Sequence, residues 1–334
     1  MNINLAPVWV IAEQVEGVIP PVCYELLGKA TELGKELGVP AEVVFLGEVS
    51  GEYKEQLFHA GADVIYQVNF PGFDKFLTEI SSKIISGLAD EIKPQIILIG
   101  STFLGRELAP LVAARLKTGL TAHCIDLVLT EDRILEQRIP AYGGLIAITC
   151  PEKRPQIATV ARGVFPAPAF EPNNAGQLIQ VDKPEDIVSR VKTLEIIKAE
   201  PEGVPLEEAL TVVAGGAGAV SQEGWKQIEN LAQTLNAALG STRPAVDEGW
   251  VELETMIGQS GKMIHPDLYI GVGLSGEQQH MVGIAGAKVM VAINNDPKSP
   301  VFQQVDLGIV EDCREFIPIL IKKLKEKLSK LSPS

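Results

Sequence analysis

The sequence predicts an α/β protein of two domains, each built on a mostly parallel sheet flanked by helices, the second of the doubly wound type. Three observations indicate this fold. Short apolar runs alternate with amphipathic helical patterns in the first half of the chain, and the alternation restarts beyond residue 205. Glycine-bearing turns then follow predicted strands in the second half. Such alternation is typical of parallel strands covered by helices on both faces.

The first domain begins with repeated strand–helix pairs. Its predicted strands cover 8–13, 41–46, 64–68 and 95–99, and its helices cover 22–37, 53–60, 74–91 and 107–116. The next section is richer in strands, predicted at 128–129, 134–138, 145–149 and 157–161. The segment 166–174 is rich in Pro and Asn, so we expect it to be irregular.

A polar, helix-breaking segment at 199–205 separates the two halves, so we expect an N-terminal scaffold domain over 1–200 and a second domain over 201–334. In the second domain the predicted strands cover 211–214, 268–273 and 289–293. The predicted helices cover 222–239, 277–284 and, as a basic amphipathic helix, 322–330.

Composition excludes several classes of function. The 334 residues carry 29 Lys and Arg against 43 Asp and Glu, a net charge of −14, which argues against nucleic-acid binding. The four cysteines form no CxxC pair and the four histidines have no metal-ligand spacing, so we expect no metal site. No run approaches the roughly 18 apolar residues of a membrane helix, and no presequence is evident. We therefore expect a cytoplasmic protein without membrane insertion.

Three glycine-bearing turns indicate a nucleotide site. Glycine lets the backbone approach a ligand, and the crevice of an open α/β sheet lies at the carboxyl ends of its strands. A dinucleotide pyrophosphate suits such a crevice, beside a helix N-terminus. Each turn alone is equally typical of a plain tight turn, but three in one domain favour nucleotide binding. The turns are 215–218, 258–261 and 271–276.

Two charged or titratable residues accompany these turns. Arg243 follows the predicted helix 222–239 and has small neighbours that would let a planar group approach, although a lone Arg is usually a solvated charge. His280 follows the third turn, 271–276. A single histidine of this kind more often has a structural role than a functional one. The chain has no phosphate loop and no nucleophile elbow, so the residues alone predict a two-domain nucleotide-binding protein.

The segment 268–283 reads LYIGVGLSGEQQHMVG and, with 291–294, resembles electron transfer flavoprotein alpha subunits. Similar matches occur at 242–247, at 257–262 and at 100–120, so the resemblance covers nearly the whole chain. The chain departs from the family pattern at four positions. Gly271 replaces an Ala, Gln278 an aliphatic residue, Ala217 an Arg, and His123 an acidic residue.

The resemblance implies an FAD held by the second domain and a heterodimer with a beta subunit. It places Arg243 by the flavin ring, Ser260 with Gln259 near N5, and His280 on the N1/O2 side. It also places Ser275 and Gln279 by the phosphates or ribityl chain, and Asn294 and Asp312 by the adenosine half. The full expected set is Thr242, Arg243, Gln259, Ser260, Gly261, Ser275, Gly276, Gln279, His280, Asn294 and Asp312.

These roles suit flavin chemistry. A fixed guanidinium from Arg243 and a positively polarised imidazole from His280 would stabilise the negative charge that reduction adds to the ring, and so raise its potential.

Four functions remain open at this stage. A redox carrier subunit is expected to serve dehydrogenases, of the acyl-CoA type, and another acceptor. An electron-bifurcating, NADH-oxidising complex would need a further FAD in the beta subunit. An NAD(P)-dependent oxidoreductase and an interaction subunit without flavin are the alternatives from other classes.

Overall fold

The computed structural model describes residues 6–15, 17–68, 78–141, 144–182, 191, 193–195 and 204–331. The chain divides into two compact units, Met1–Ile197 and Lys198–Ser334. Each unit has its own parallel sheet and its own apolar core, and each is described separately below.

In the first unit, seven parallel strands form the main sheet and three others form a small antiparallel sheet. The strands in chain order are β1 (Val8–Ala12), β2 (Ala41–Leu46), β3 (Val64–Val68), β4 (Ile96–Gly100), β5 (Leu120–Cys124), β6 (Asp126–Leu129), β7 (Leu135–Ala141), β8 (Gly144–Thr149), β9 (Gln156–Val160) and β10 (Gln177–Val181). The main sheet has the order β10-β3-β2-β1-β4-β9-β5, and the small sheet the order β6-β7-β8.

Helices cover both faces of the main sheet. Along β1, Val8 and Val10 belong to one apolar cluster, whereas Trp9 and Ile11 belong to the other, because successive side chains of a strand point to opposite faces. The helices of this unit are α1 (Pro21–Leu37), α2 (Gly51–His59), α3 (Thr78–Ile92) and α4 (Phe103–Leu116).

Local chemistry sets the ends of these helices. Gly38 ends α1 in the left-handed conformation, with φ of 70°, as its position after the last apolar residue predicts. α4 begins four residues before the predicted 107, because the Thr102 hydroxyl accepts a hydrogen bond from the Gly105 N–H and caps the helix. Residues 74–77 of the third predicted helix lie outside the described residues. The segment 166–174 contains neither helix nor strand, as predicted.

Five parallel strands form the sheet of the second unit, in the order β12-β11-β13-β14-β15. The strands are β11 (Thr211–Gly215), β12 (Ala238–Ser241), β13 (Leu268–Val272), β14 (Val289–Asn294) and β15 (Leu307–Val310). The helices are α5 (Gln222–Leu235), α6 (Arg243–Asp247), α7 (Gln278–Met281) and α8 (Cys313–Leu331). The prediction of an α/β fold with parallel sheets flanked by helices is confirmed.

The prediction of one helix over 222–239 is wrong. α5 ends at Leu235 because Asn236 adopts a left-handed conformation with φ of 49°. Residues 238–241 then form β12, which pairs with β11. Arg243 therefore follows a strand and not a helix, and this places it at the carboxyl edge of the sheet.

Other elements of this unit also differ from prediction. α7 has only four residues and continues as a single 3₁₀ turn, Val282–Ile284, where a helix over 277–284 was expected. α8 begins at Cys313, nine residues before the predicted 322. The strands β5, β10, β12 and β15 were not predicted. In the part of the chain that the structure describes, no helix is both long enough and apolar enough to cross a membrane.

Candidate functional site

A crevice of about 550 Å³ opens at the carboxyl edge of the five-stranded sheet in the second unit. Residues that follow β11, β12 and β13 line it, together with the last residue of β14. The chain runs from β11 to β12 on one side and then to β13 on the other side of β11, so the crevice lies at the point where strand order reverses. This is where open α/β sheets bind ligands, and the volume falls within the range of about 300–1,000 Å³ that is usual for ligand sites.

Ten of the eleven expected cofactor residues line this crevice. The exception is Asp312, which follows β15 at the edge of the sheet and does not line the crevice. The Arg314 side chain binds its carboxylate with distances of 2.6 Å and 3.1 Å, and these hydrogen bonds lower the pKa of Asp312 to about 2. The lining residues in the expected set are Thr242, Arg243, Gln259, Ser260, Gly261, Ser275, Gly276, Gln279, His280 and Asn294.

The glycine turns after β11 and β13 are bonded to each other. The Gly216 N–H donates to the Val272 carbonyl at 2.9 Å, and the Gly218 N–H donates to the Gly273 carbonyl at 2.8 Å. A Cβ atom on Gly218 would lie 2.6 Å from the Gly273 Cα, which is closer than side chains tolerate. Only glycine therefore allows the two turns to meet and form one wall of the crevice.

The remaining glycine turn, 258–261, also lines the crevice. Its residue Gln259 donates its N–H to the Gln279 carbonyl at 2.7 Å, and Gly258 has φ of 134°. A Cβ on Gly258 would lie 2.3 Å from that same carbonyl oxygen. The contact brings Ser260 and His280 into one lining, although 20 positions separate them in the sequence.

Thr242 provides the clearest test of whether the crevice suits a polar ligand. Its N–H donates to the Gly215 carbonyl at 2.9 Å, which fixes the residue at the end of β12. Its hydroxyl is buried, yet it has no hydrogen-bond partner. Because buried hydroxyls are almost always bonded, the unpartnered hydroxyl of a residue that lines the crevice favours a polar ligand there.

The charged residues of the lining are Arg243 and Glu277. Arg243 is the first residue of α6, and its side chain is 72% exposed. Its Nε lies 3.6 Å from an Asp247 carboxylate oxygen on the same helix. An exposed pair of this kind is weak, so the guanidinium remains available to an anion in the crevice.

His280 is buried and both of its ring nitrogens are bonded to protein groups. Its Nε2 lies 2.7 Å from the Tyr269 hydroxyl, and its Nδ1 lies 3.0 Å from the Ile257 carbonyl oxygen. Burial lowers the pKa of His280 to about 4, against a smaller opposite effect of the carbonyl. The imidazole of the flavin-free chain is therefore neutral at pH 7, whereas a positively polarised His280 was expected.

Asn294 and the helix ends contribute structure more than free donors. The Asn294 amide donates to the Leu274 carbonyl at 2.8 Å and accepts from the Asp296 N–H at 2.8 Å. α7 is too short for a developed helix dipole, and the Ser221 hydroxyl already caps α5. The expected helix N-terminus beside a pyrophosphate is therefore absent from the described crevice lining.

Sequence reasoning missed Tyr269 and Ile257, the two partners of His280. Tyr269 occupies a buried strand, where an aromatic residue normally signifies core packing. Its phenol hydroxyl is a polar group in an apolar strand, and such a group needs a hydrogen-bond partner. This need is the one sequence signal for a role beyond core packing.

A larger cavity of about 850 Å³ lies in the first unit. Its lining includes Lys35, His59 and Asp63, near the starts of β2 and β3. Ligands of open α/β sheets bind at the carboxyl edge instead, so this cavity is the weaker candidate. Among the described residues, no group of three or more His, Cys, Asp or Glu could hold a metal ion.

Two family models match the chain. The Electron transfer flavoprotein domain matches residues 8–186, and the Electron transfer flavoprotein FAD-binding domain matches residues 205–285. The second match contains most of the crevice lining.

Curated relatives match over nearly the whole chain. Electron transfer flavoprotein subunit alpha of Thermoanaerobacterium thermosaccharolyticum is 40% identical, over 96% of this chain and 98% of the relative. Protein FixB of Azorhizobium caulinodans is 38% identical, over 96% and 89%. Lactate dehydrogenase (NAD(+),ferredoxin) subunit LctC of Acetobacterium woodii is 36% identical, over 95% and 76%. Among solved structures, MurG of Acinetobacter baumannii matches with a TM-score of 0.31 and 12% identity, over 97% of this chain and 90% of that chain, which is too weak to support any inference.

Proposed function

The chain belongs to the electron transfer flavoprotein alpha subunits, whose second domain binds FAD, and from this premise we propose that it is the FAD-holding half of a cytoplasmic heterodimeric electron carrier. Its partner in the heterodimer is a beta subunit. The carrier takes electrons from a dehydrogenase, of the acyl-CoA type, and passes them to another acceptor. In this proposal the chain alone is a redox carrier subunit and not a complete enzyme.

The observation that carries the proposal is the crevice itself. Most of its lining lies in the segment matched by the FAD-binding family model, and one lining residue, Thr242, has a buried hydroxyl that lacks a partner. A ligand with several hydroxyl and phosphate oxygens would satisfy that group. The residues present therefore fit FAD.

In the proposed complex, FAD supplies the electron-transfer chemistry, and the chain supplies binding and electrostatics. Arg243 attracts the negative charge that reduction adds and so favours the reduced state. Ser260 and Gln259 orient the ring edge, and Ser275 and Gln279 bind the phosphates or ribityl chain. Thr242 donates its free hydroxyl, while Gly261 and Gly276 allow close approach of the backbone. Asn294 holds the turn after β13 and lies towards the adenosine half.

Asp312 is the weakest member of the proposed set. Its carboxylate is bonded to Arg314, and it does not line the crevice. We propose that it acts on the adenosine half through the segment that follows β15.

Electron bifurcation is the second candidate function. It is favoured by one observation, the 36% identity to a relative whose name includes NAD(+) and ferredoxin. In that mode NADH would deliver electrons to a further FAD in the beta subunit. The electrons would then divide between two acceptors, one of which is the FAD of this chain.

An NAD(P)-dependent oxidoreductase is disfavoured by the state of His280. That function would need an acid or base beside the glycine turns, and His280 is the candidate that the sequence offers. The imidazole is neutral and both of its nitrogens are bonded to Tyr269 and Ile257, so it has no free proton-transfer position.

One experiment separates these functions. The heterodimer, co-expressed with its beta subunit, is purified, its flavins are counted, and it is assayed with an acyl-CoA dehydrogenase and with NADH plus ferredoxin. One flavin per heterodimer, reduced by the acyl-CoA dehydrogenase and not by NADH, supports the carrier. Two flavins with NADH oxidation coupled to ferredoxin reduction support bifurcation. A colourless heterodimer that FAD does not reconstitute would refute both.

A further inference from the structure

Tyr269 contacts His280 from the interior of the second unit. Its ring is buried within an apolar cluster that includes Leu274 and Ile284, and its hydroxyl lies 2.7 Å from the His280 Nε2. On the opposite side of the imidazole, Nδ1 lies 3.0 Å from the Ile257 carbonyl oxygen. The ring is thus bonded at both nitrogens by groups that belong to this chain.

The chemistry of the two partners selects one tautomer of His280. A carbonyl oxygen can only accept a hydrogen bond, so Nδ1 must carry a hydrogen and donate it to Ile257. In the neutral ring Nε2 is then an acceptor, and the Tyr269 hydroxyl must donate to it. No N–H of this tautomer remains for a ligand in the crevice.

The same arrangement opposes a second proton. A protonated Nε2 would have to donate to the Tyr269 oxygen, which would turn the phenol hydrogen away from the ring. That hydrogen would then face the apolar cluster around Tyr269 without an acceptor. A hydrogen bond made only to the neutral form of an acid–base group disfavours its charged form.

We infer that Tyr269 is a positioning residue, which opposes protonation of His280 in the Nδ1–H tautomer that Ile257 selects and leaves Arg243 as the cation of the crevice lining. Arg243 and Glu277 are the charged residues of the described crevice lining, and neither is bonded to the His280 ring. The inference rests on the proposed function in one respect, namely that the bound group is FAD. Desolvation, which lowers the pKa of His280, acts in the same direction as the phenol.

The test compares the heterodimer with its Tyr269→Phe variant by ¹⁵N NMR of labelled histidines. This chain has four histidines, and the resonances lost in a His280→Gln variant identify His280. In the unmodified heterodimer at pH 7 we expect a protonated Nδ1 and a hydrogen-bonded, unprotonated Nε2. In Tyr269→Phe the Ile257 carbonyl still selects the Nδ1–H tautomer, and we expect a His280 pKa higher by about one unit, because a bond made only to the neutral form is lost.

A second measurement links the protonation state of His280 to the flavin. The midpoint potential of Tyr269→Phe should be more positive than that of the unmodified heterodimer at pH 5, and the difference should shrink by pH 7. The matched control is Tyr24→Phe, which removes a phenol bonded at 2.8 Å to Gln56 in the first unit. It should leave the His280 resonances and the potential unchanged.

The inference is overturned if His280 of the unmodified heterodimer carries hydrogens on both nitrogens, or on Nε2 alone, at pH 7. It is also overturned if Tyr269→Phe leaves the His280 pKa unchanged. Both readings can be made on a flavin-free heterodimer. Failure to bind FAD would therefore contradict the proposed function. The role of Tyr269 would still be decided by the NMR spectra of the flavin-free heterodimer.

Discussion

At the scale of the single residue, Arg243 is expected to tune the flavin potential. Arg243→Ala should lower the midpoint potential by tens of millivolts, because a tenfold change in relative stability corresponds to about 59 mV for one electron. A larger shift is not expected, since the side chain is 72% exposed and water screens its charge. Spectroelectrochemical titration of the heterodimer measures the shift.

The control for Arg243 is its own ion-pair partner. Asp247→Asn removes the carboxylate 3.6 Å from the guanidinium, so it should leave the potential unchanged or raise it slightly. Arg243 would have no electrostatic role if both variants retained the potential of the unmodified protein.

Substitution of Thr242 is expected to raise the stability of the flavin-free protein and to lower its affinity for FAD. Thr242→Val removes a buried hydroxyl without a partner, so the flavin-free heterodimer should become more stable by about 1 kcal/mol. The same change removes a hydrogen bond to FAD and should weaken FAD binding roughly 3- to 10-fold. Thermal unfolding measures the first effect, and fluorescence titration with FAD the second.

Ser86→Ala is the matched control for Thr242. Its hydroxyl is also buried without a partner, but it lies in α3 of the first unit. It should stabilise the protein without changing FAD affinity. An equal loss of affinity in both variants would contradict a direct contact from Thr242.

Residue identities predicted most of the expected residues that line the crevice, but they did not predict the protonation state of His280. The expected set entered because glycines, an Arg and a His followed apparent strands and resembled a known family. The neutral state of His280 depends first on its burial, and its hydrogen bonds are made with Tyr269 and Ile257, which lie 11 and 23 positions away in the chain. A sequence pattern does not reveal which buried hydroxyl will meet which nitrogen.

At the scale of the element, the contact between the turns after β11 and β13 should be sensitive to a single methyl group. Gly218→Ala places a Cβ 2.6 Å from the Gly273 Cα, so we expect a loss of about 1–3 kcal/mol in stability and of most bound flavin. The flavin absorbance per heterodimer and urea unfolding report the two effects.

Gly87→Ala is the control for Gly218→Ala, because it adds the same methyl group at a position with free space. Gly87 lies within α3, and an added Cβ would have no atom within 4 Å. We expect this change to stabilise the protein by about 0.5–1 kcal/mol, because glycine is unfavourable in a helix. Retention of flavin in Gly218→Ala at the level of Gly87→Ala would show that the two turns can separate without consequence.

Elements with strong periodicity were predicted well, and short ones were not. β2 and β3 have the predicted bounds because apolar, β-branched runs are flanked by clear turns. β12 was absorbed into a predicted helix because 237–239 continue an apolar helical pattern. The helix α5 ends because Asn236 adopts a left-handed conformation. The four residues of β12 have no sequence feature that excludes a helix, and they become a strand by pairing with β11.

At the scale of the whole molecule, His280 should make folding stability depend on pH. The pKa of a histidine is near 6.5 when unfolded and about 4 for His280 when folded, so the unfolded chain binds the extra proton between these values. This contribution is complete above pH 6.5 and is lost as the pH falls towards 4. Burial raises the pKa values of Glu13, Glu25 and Glu42, which has the opposite effect as their carboxylates protonate.

The His280→Gln variant isolates the histidine contribution. The loss of stability between pH 6.5 and 4 should be smaller in the variant by about 2–3 kcal/mol. Urea unfolding of the flavin-free heterodimer at several pH values measures the difference. Parallel stability curves for the two proteins would contradict a neutral, buried His280.

The position of β10 has a consequence for how the first unit forms during synthesis. This strand, Gln177–Val181, pairs in parallel with β3, Val64–Val68, and occupies the outer edge of the seven-stranded sheet. A nascent chain that has reached residue 170 therefore still exposes the backbone donors and acceptors of β3 to other chains. Without β10 the mostly buried strand β3 forms the edge of the sheet, whereas β10 is mostly exposed. The ribosome must release more than half of the polypeptide before β10 covers β3, so a first-unit fragment that ends at residue 170 should aggregate more than one that includes β10.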